Sequence, residues 1–184
     1  HCMDFLLASI SDGLLIGFIY GIAAMGLTLI FGVMDVINLS HGPIIALGMF
    51  GVYLAFNSFG WNPYLIIVIV ALAGLLLGML IYGIAVHRVI NAPHLSTLLA
   101  TFSINLIIIG IGTAAFSTAP RNVDFTLGNF SIGPITLLWT RVIAALLAIL
   151  ATGSLYFFLY KTRPGRYVRA VANNRKAAEL VGVP

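Results

Sequence analysis

From Gly13 to Met34 the chain runs 22 residues without an Asp, Glu, Lys or Arg, and four further segments read much the same way. An α-helix rises 1.5 Å per residue, so about 20 apolar residues cover the roughly 30 Å hydrocarbon layer of a bilayer. One such run fits a buried core helix as well as a membrane span. Five of them in 184 residues, at 61% hydrophobic and 8% charged, leave too few charges to coat a soluble globule, since an ordinary domain is about one quarter charged. The fold class is therefore all-α: a polytopic transmembrane helical bundle with about five spans. They are expected near residues 13–33, 43–59, 64–86, 95–116 and 135–160, in one transmembrane domain over 1–184.

Charge sets the expected orientation. Nine Lys and Arg face five Asp and Glu, and six of the nine (Lys161, Arg163, Arg166, Arg169, Arg175 and Lys176) follow the last apolar run. Basic clusters beside a span mark the cytoplasmic side, which puts 161–184 inside and the Gly-, Asn-, Ser- and Pro-rich stretch 117–134 outside. The Arg88 loop is then internal, the Gly60–Pro63 turn external, residues 35–41 internal and the N-terminus external. The last two assignments reverse if 35–41 is re-entrant. With the rest of the chain in lipid, the basic cluster does not read as a nucleic-acid surface. The single cysteine, Cys2, excludes a disulfide or a Cys-built metal site within this sequence. Residues 1–13 have no basic n-region and the first run is too long for a cleavable signal. The chain opens on His1 and stops at Pro184 within a basic stretch, so it is expected to be a piece of a longer protein.

Glycines recur at four-residue spacing, at Gly13, Gly17 and Gly21 and at Gly74 and Gly78, with Gly83 a further turn on. Such faces let helices approach closely in lipid.

Three stretches depart from lipid-facing helix. The first, Asp35 through Pro43, places Asp35, Asn38, Ser40, His41 and Gly42 between two apolar runs. An Asp at mid-membrane costs about 2.5–3.5 kcal/mol, so Asp35 is expected to face a cavity or the interface. Ser40 is a candidate N-cap, with Pro43 in the first turn of the helix that follows. Two readings fit: a capped turn, or broken backbone lining a solute path. The second stretch is Ser96, Thr97, Thr101, Ser103 and Asn105, in which Thr97, Thr101 and Asn105 share one helical face. A helix–helix contact and a polar lining both account for it.

The third is the tail from Lys161, where Pro164 and Gly165 are expected to end the fifth span. On a helical wheel Ala170, Val171, Ala177, Ala178 and Val181 share one face, and Arg166, Arg169, Asn173 and Lys176 the other. Gly182 and Pro184 supply a stop. A basic helix on anionic lipid and a docking surface for a cytoplasmic partner fit equally well.

The stretch from Gly26 to Gly42, with Met34-Asp35-Val36-Ile37-Asn38-Leu39-Ser40-His41-Gly42 at its end, resembles the signature of the branched-chain amino-acid permeases of bacterial ABC importers. The segment from Leu95 to Phe102 is similar to that family's fourth span. The segment from Arg169 to Gly182 resembles its cytoplasmic coupling loop. The three lie in the family's order, and the likeness is greatest to the first of two permease subunits. Leu39-Ser40 stands where Phe-Ala is common, and Lys176-Ala177-Ala178-Glu179 where the loop pattern has Glu-Ala-Ala.

The resemblance implies a subunit of the bacterial inner membrane beside a second homologous permease. A periplasmic solute-binding protein would serve the external loops, and cytoplasmic ATP-binding subunits would dock on the coupling loop. That loop comprises Arg169, Asn173, Arg175, Lys176, Ala177, Ala178, Glu179, Leu180 and Gly182. Ala177, Ala178, Leu180 and Gly182 would seat in the ATPase groove. Three further spans would follow Pro184. The sequence holds no Gly-x-x-x-x-Gly-Lys motif, so ATP would be used by the partners and this chain would be neither an enzyme nor a cofactor binder. The solute path would be lined by Asp35, Asn38, Ser40, His41, Gly42, Thr97, Thr101 and Asn105. A cargo of urea or short amides keeps the same machine. An ion-driven transporter would need a charge deep in a span, and an intramembrane enzyme a paired constellation. His41, His87 and His94 are scattered over different loops.

Overall fold

The computed structural model describes residues 2–133 and 135–183; Pro134 and Pro184, assigned above to a loop and a helix stop, lie outside them. Among the described residues five helical segments are long and apolar enough to cross a membrane. They are α1 (Cys2–Met34), α2 (His41–Phe59), α3 (Pro63–Ile81) with its continuation to Val89, α5 (His94–Phe116) and α6 (Trp139–Lys161). The continuation of α3 is a π-helical turn (Tyr82–Val86) followed by the short α4 (His87–Val89). Large apolar side chains such as Phe5, Leu76 and Leu150 are exposed along these helices, as expected where hydrocarbon replaces water as the solvent.

Helix ends follow local chemistry. Gly60 takes a left-handed φ of 62° and closes α2 by donating its N–H to Phe56 O. The Asn62 side chain caps α3 by accepting from Tyr64 N at 3.0 Å, with Pro63 at the first helical position. This is the tight turn expected from the sequence.

The chain divides into two compact units, residues 1–34 with 126–184, and residues 35–125. In the first, Asp12 of α1 pairs with Arg141 of α6, while Gly32 and Val33 line one cavity with Leu159 and Tyr160. Starts meet starts and ends meet ends, so α1 and α6 run in the same direction.

Two expectations about the fifth span are corrected. Ile135–Leu138 is not its first turn but a strand, β2, paired antiparallel with β1 (Asn129–Ile132), with Ile132 opposite Ile135. A short apolar run rich in β-branched residues beside a Gly turn has no hydropathy signal separating strand from helix. Gly133 takes the left-handed φ of 62° at the hairpin tip. Nor do Pro164 and Gly165 terminate the span. The span ends at Lys161, and both residues lie in the first turn of α7 (Arg163–Asn173), where a proline forfeits no helical bond.

Glycine contacts also differ from expectation. A side chain added at Gly13, Gly17, Gly21, Gly74, Gly78 or Gly83 would meet nothing within 4 Å, so among the described residues these faces pack no neighbouring helix closely. The close approach in the second unit is instead α2 on α3, where a Cβ added at Gly48 or Gly51 would lie 3.7 or 3.4 Å from the Val70 side chain. Gly165 is the tightest site: a Cβ there would sit 2.1 Å from Phe158 O and 2.6 Å from Leu159 Cα. Backbone cannot move aside as a side chain can. Gly165→Ala is expected to open the α6–α7 corner and cost about 3 kcal/mol or more, read as a lower melting temperature of the purified protein in detergent.

Candidate functional site

Residues 35–40 leave helical geometry, and their backbone groups need other partners. Asp35 sits at a left-handed φ of 55° with its carboxylate exposed and 3.5 Å from His94 Nε2. Asn38 Oδ1 accepts from both Ser40 N (3.1 Å) and Ser40 Oγ (2.6 Å). Ser40 stands at the N-cap position of α2 but makes no side-chain cap, because its hydroxyl is given to Asn38. From α5, Thr101 Oγ1 lies 3.0 Å from Ile37 O, 64 residues away, and 3.1 Å from Leu98 O. Thr97 Oγ1 donates to His94 O at 2.8 Å. Ser40, Thr97 and Thr101 are buried, as are Val36 and Ile66 of the same unit.

The structure thus brings the first two polar stretches together, and spends their hydroxyls internally. Asn38, Ser40 and Thr101 form a clasp holding the connection onto α5. Asn105 lies one turn further along α5, half-buried; His41 is half-buried, and Gly42 is exposed in the first turn of α2.

A second feature was not singled out from sequence. A cavity of about 470 Å³ lies between α2, α5 and residues 117–121. Its apolar wall includes Pro43, Leu47, Phe50, Ile108 and Ile109, and Phe50 stacks on Phe116 at 4.4 Å between centroids. Its polar groups gather at one end. There Arg121 donates to Phe116 O (3.2 Å) and Tyr53 Oη (3.4 Å), with its guanidinium 5.5 Å from the Tyr53 ring centroid. Ser117, on the same rim, has φ 59° and ψ −176°, a region that is essentially glycine-only. The cavity needs α2 and α5 brought together, which no single stretch of sequence shows.

The tail is two helices, not one. Thr162 Oγ1 donates to Phe158 O and accepts from Gly165 N (3.1 Å), so one hydroxyl closes α6 and opens α7. Arg169 turns back to donate to Leu159 O (2.9 Å) over the Tyr160 ring. Asn173 ends α7, and Asn174, extended at φ −158°, caps α8 (Arg175–Leu180) by accepting from Ala177 N. Arg175 and Glu179 pair at 3.4 Å, Lys176 and Ala177 are exposed, and Gly182 takes a left-handed φ of 80°. The break at Asn174 ends the shared wheel faces expected across the tail. Ala178 is buried inside its own chain, whereas Leu180 and Val181 are 88% and 78% exposed. Ala177, Leu180 and Val181 are therefore apolar side chains offered outward, and Ala178 is not one of them.

These helices define a multi-pass α-helical membrane protein. A family model for the branched-chain amino acid transport system permease component matches residues 9–184, and the chain belongs to that family. It is 20% identical over 191 residues to the high-affinity branched-chain amino acid transport permease BraD of Pseudomonas aeruginosa, covering 96% of this chain and 62% of that protein. It is 29% identical to a probable branched-chain amino acid transport permease, LivH, of Methanocaldococcus jannaschii, covering 87% of this chain and 53% of that one. With the fructose import permease FruG of Bifidobacterium longum it shares 30% identity over 80% of this chain and 44% of that protein. The chain thus spans between 44% and 63% of the length of the curated relatives it matches. No solved structure matches it significantly.

Removing the clasp hydroxyl by Thr101→Val is expected to lower stability by about 1 kcal/mol, with Thr101→Ser restoring it, as measured by thermal unfolding in micelles. Ser117→Gly relieves a backbone conformation costing about 1–3 kcal/mol and is expected to raise the melting temperature.

Proposed function

We propose that this chain is a membrane-spanning permease subunit of an ATP-driven importer of branched-chain or related hydrophobic amino acids. The observation that carries the reading is the family match over nearly the whole chain. The assembly would be that implied by the resemblance: a second permease, cytoplasmic ATPases and a periplasmic binding protein, in a bacterial inner membrane. The basic α7–α8 pair would be the surface gripped from within the cell, with Leu180 and Val181 as the apolar contact. An amphipathic helix seated in a partner's groove is a recurrent way to transmit such a motion. ATP closure would then move a rigid corner at Thr162–Gly165 and, through it, α6.

The likeness to a fructose permease favours keeping cargo separate from machinery, with sugars beside urea and short amides as rivals. An ion-driven transporter is less well supported, since Asp35 lies between helices, exposed and beside His94. The complete complex in vesicles is expected to accumulate labelled leucine on ATP addition, and fructose or urea accumulation without leucine would reassign the cargo. Leu180→Asp is expected to leave insertion intact and abolish stimulated ATP hydrolysis; unchanged hydrolysis would remove the coupling role from α8.

A further inference from the structure

We propose that the cavity between α2 and α5 binds a zwitterionic apolar amino acid, with Arg121 taking the carboxylate. The proposal rests on reading the chain as an amino-acid permease, and it locates a solute site where the sequence signature does not.

Four observations converge. The volume, about 470 Å³, falls in the range of small-molecule sites. The wall is apolar along α2 and α5, while Tyr53, Thr113, Ser117, Thr118 and Arg121 collect at one end. A leucine-like molecule has that same division, with charges at one end and hydrocarbon at the other. A sugar, with hydroxyls on every side, would press several of them unpaired against Leu47, Phe50 and Ile108. Urea would leave the apolar wall unused.

The rim charge, Arg121, suits the carboxylate end of such a molecule. Arg121 is held by Phe116 O and Tyr53 Oη, which use two of its five N–H groups and leave a donor fork for a carboxylate. The last turn of α5 ends at the same rim, and its Phe116 carbonyl fixes the Arg121 guanidinium there. Ser117, with its glycine-like backbone, lines the same rim. Strained backbone of this kind concentrates at ligand clamps. The clasp residues Ser40 and Thr101, by contrast, are buried with their hydroxyls already bonded.

The test uses the complete complex without its binding protein, so that only the membrane subunits can recognise the solute. In an otherwise cysteine-free permease, Cys2 included, Thr118→Cys is labelled with a membrane-impermeant maleimide, both nucleotide-free and trapped with ATP and vanadate. Millimolar L-leucine is expected to slow labelling several-fold in at least one of these states. Leucinol, which lacks the carboxylate, is expected to give no protection. Adding Arg121→Gln is expected to weaken leucine protection about tenfold or more in concentration, and Arg121→Lys to restore part of it. Equal rates with and without leucine in both states would overturn the proposal. So would equal protection by leucinol, which would make the cavity a site for any apolar occupant, membrane lipid included. The leucine–leucinol comparison needs no change at Arg121, so a misfolded Arg121 variant does not blunt it. Failure of this site with leucine uptake intact would leave the functional reading standing. Absent leucine uptake with fructose or urea accumulation would remove that reading itself.

Discussion

A backbone amide without a hydrogen-bond partner costs several kcal/mol in hydrocarbon, and every feature of this chain answers to that penalty. Helices satisfy it internally, which is why five apolar runs become five helices. The informative places are the interruptions, and four of them are closed by a short polar side chain. Asn38 turns on Ser40, Asn62 opens α3, Thr162 joins α6 to α7, and Asn174 joins α7 to α8. Polar residues that look in sequence like a lined pathway are, at several of these points, the fittings that let the chain change direction.

That economy shapes how function is distributed. The connection at 35–40 is fastened to α5 by Thr101, a bond spanning 64 residues, so the most distinctive sequence motif is also a structural anchor of the second unit. The open space lies elsewhere, against Phe50, Ile108 and the Arg121 rim. The tail shows the same separation. Ala178, central to the coupling pattern, supports α8 from inside, while Leu180 and Val181 face outward.

The corner at Thr162–Gly165 joins the two themes. Gly165 lies so close to Phe158 O that only glycine fits, and Arg169 ties α7 back to Leu159 O. A force applied to α7 or α8 would thus be delivered to the end of α6 with little slack between them. In a transporter of the proposed kind, stiffness here matters as much as the contact surface itself.

Much was legible from residues alone, because it depends on sums along one stretch of chain. Hydropathy set the number of helices, the Gly60–Pro63 turn followed from Gly, Asn and Pro chemistry, and the clustered cations singled out the tail. The likeness to a permease family also lay in local motifs. The tertiary structure decided what depends on partners distant in sequence. Whether Ile135–Leu138 is helix or strand turned on pairing with Asn129–Ile132, and whether Ser40 caps or bonds Asn38 turned on competing acceptors. Which glycines lie at close contacts, which way Ala178 faces, and the presence of a cavity under Arg121 all follow from packing between separated segments. Local propensity fixes what each segment is, but enclosure is a property of surfaces brought together, and no single stretch of sequence contains it.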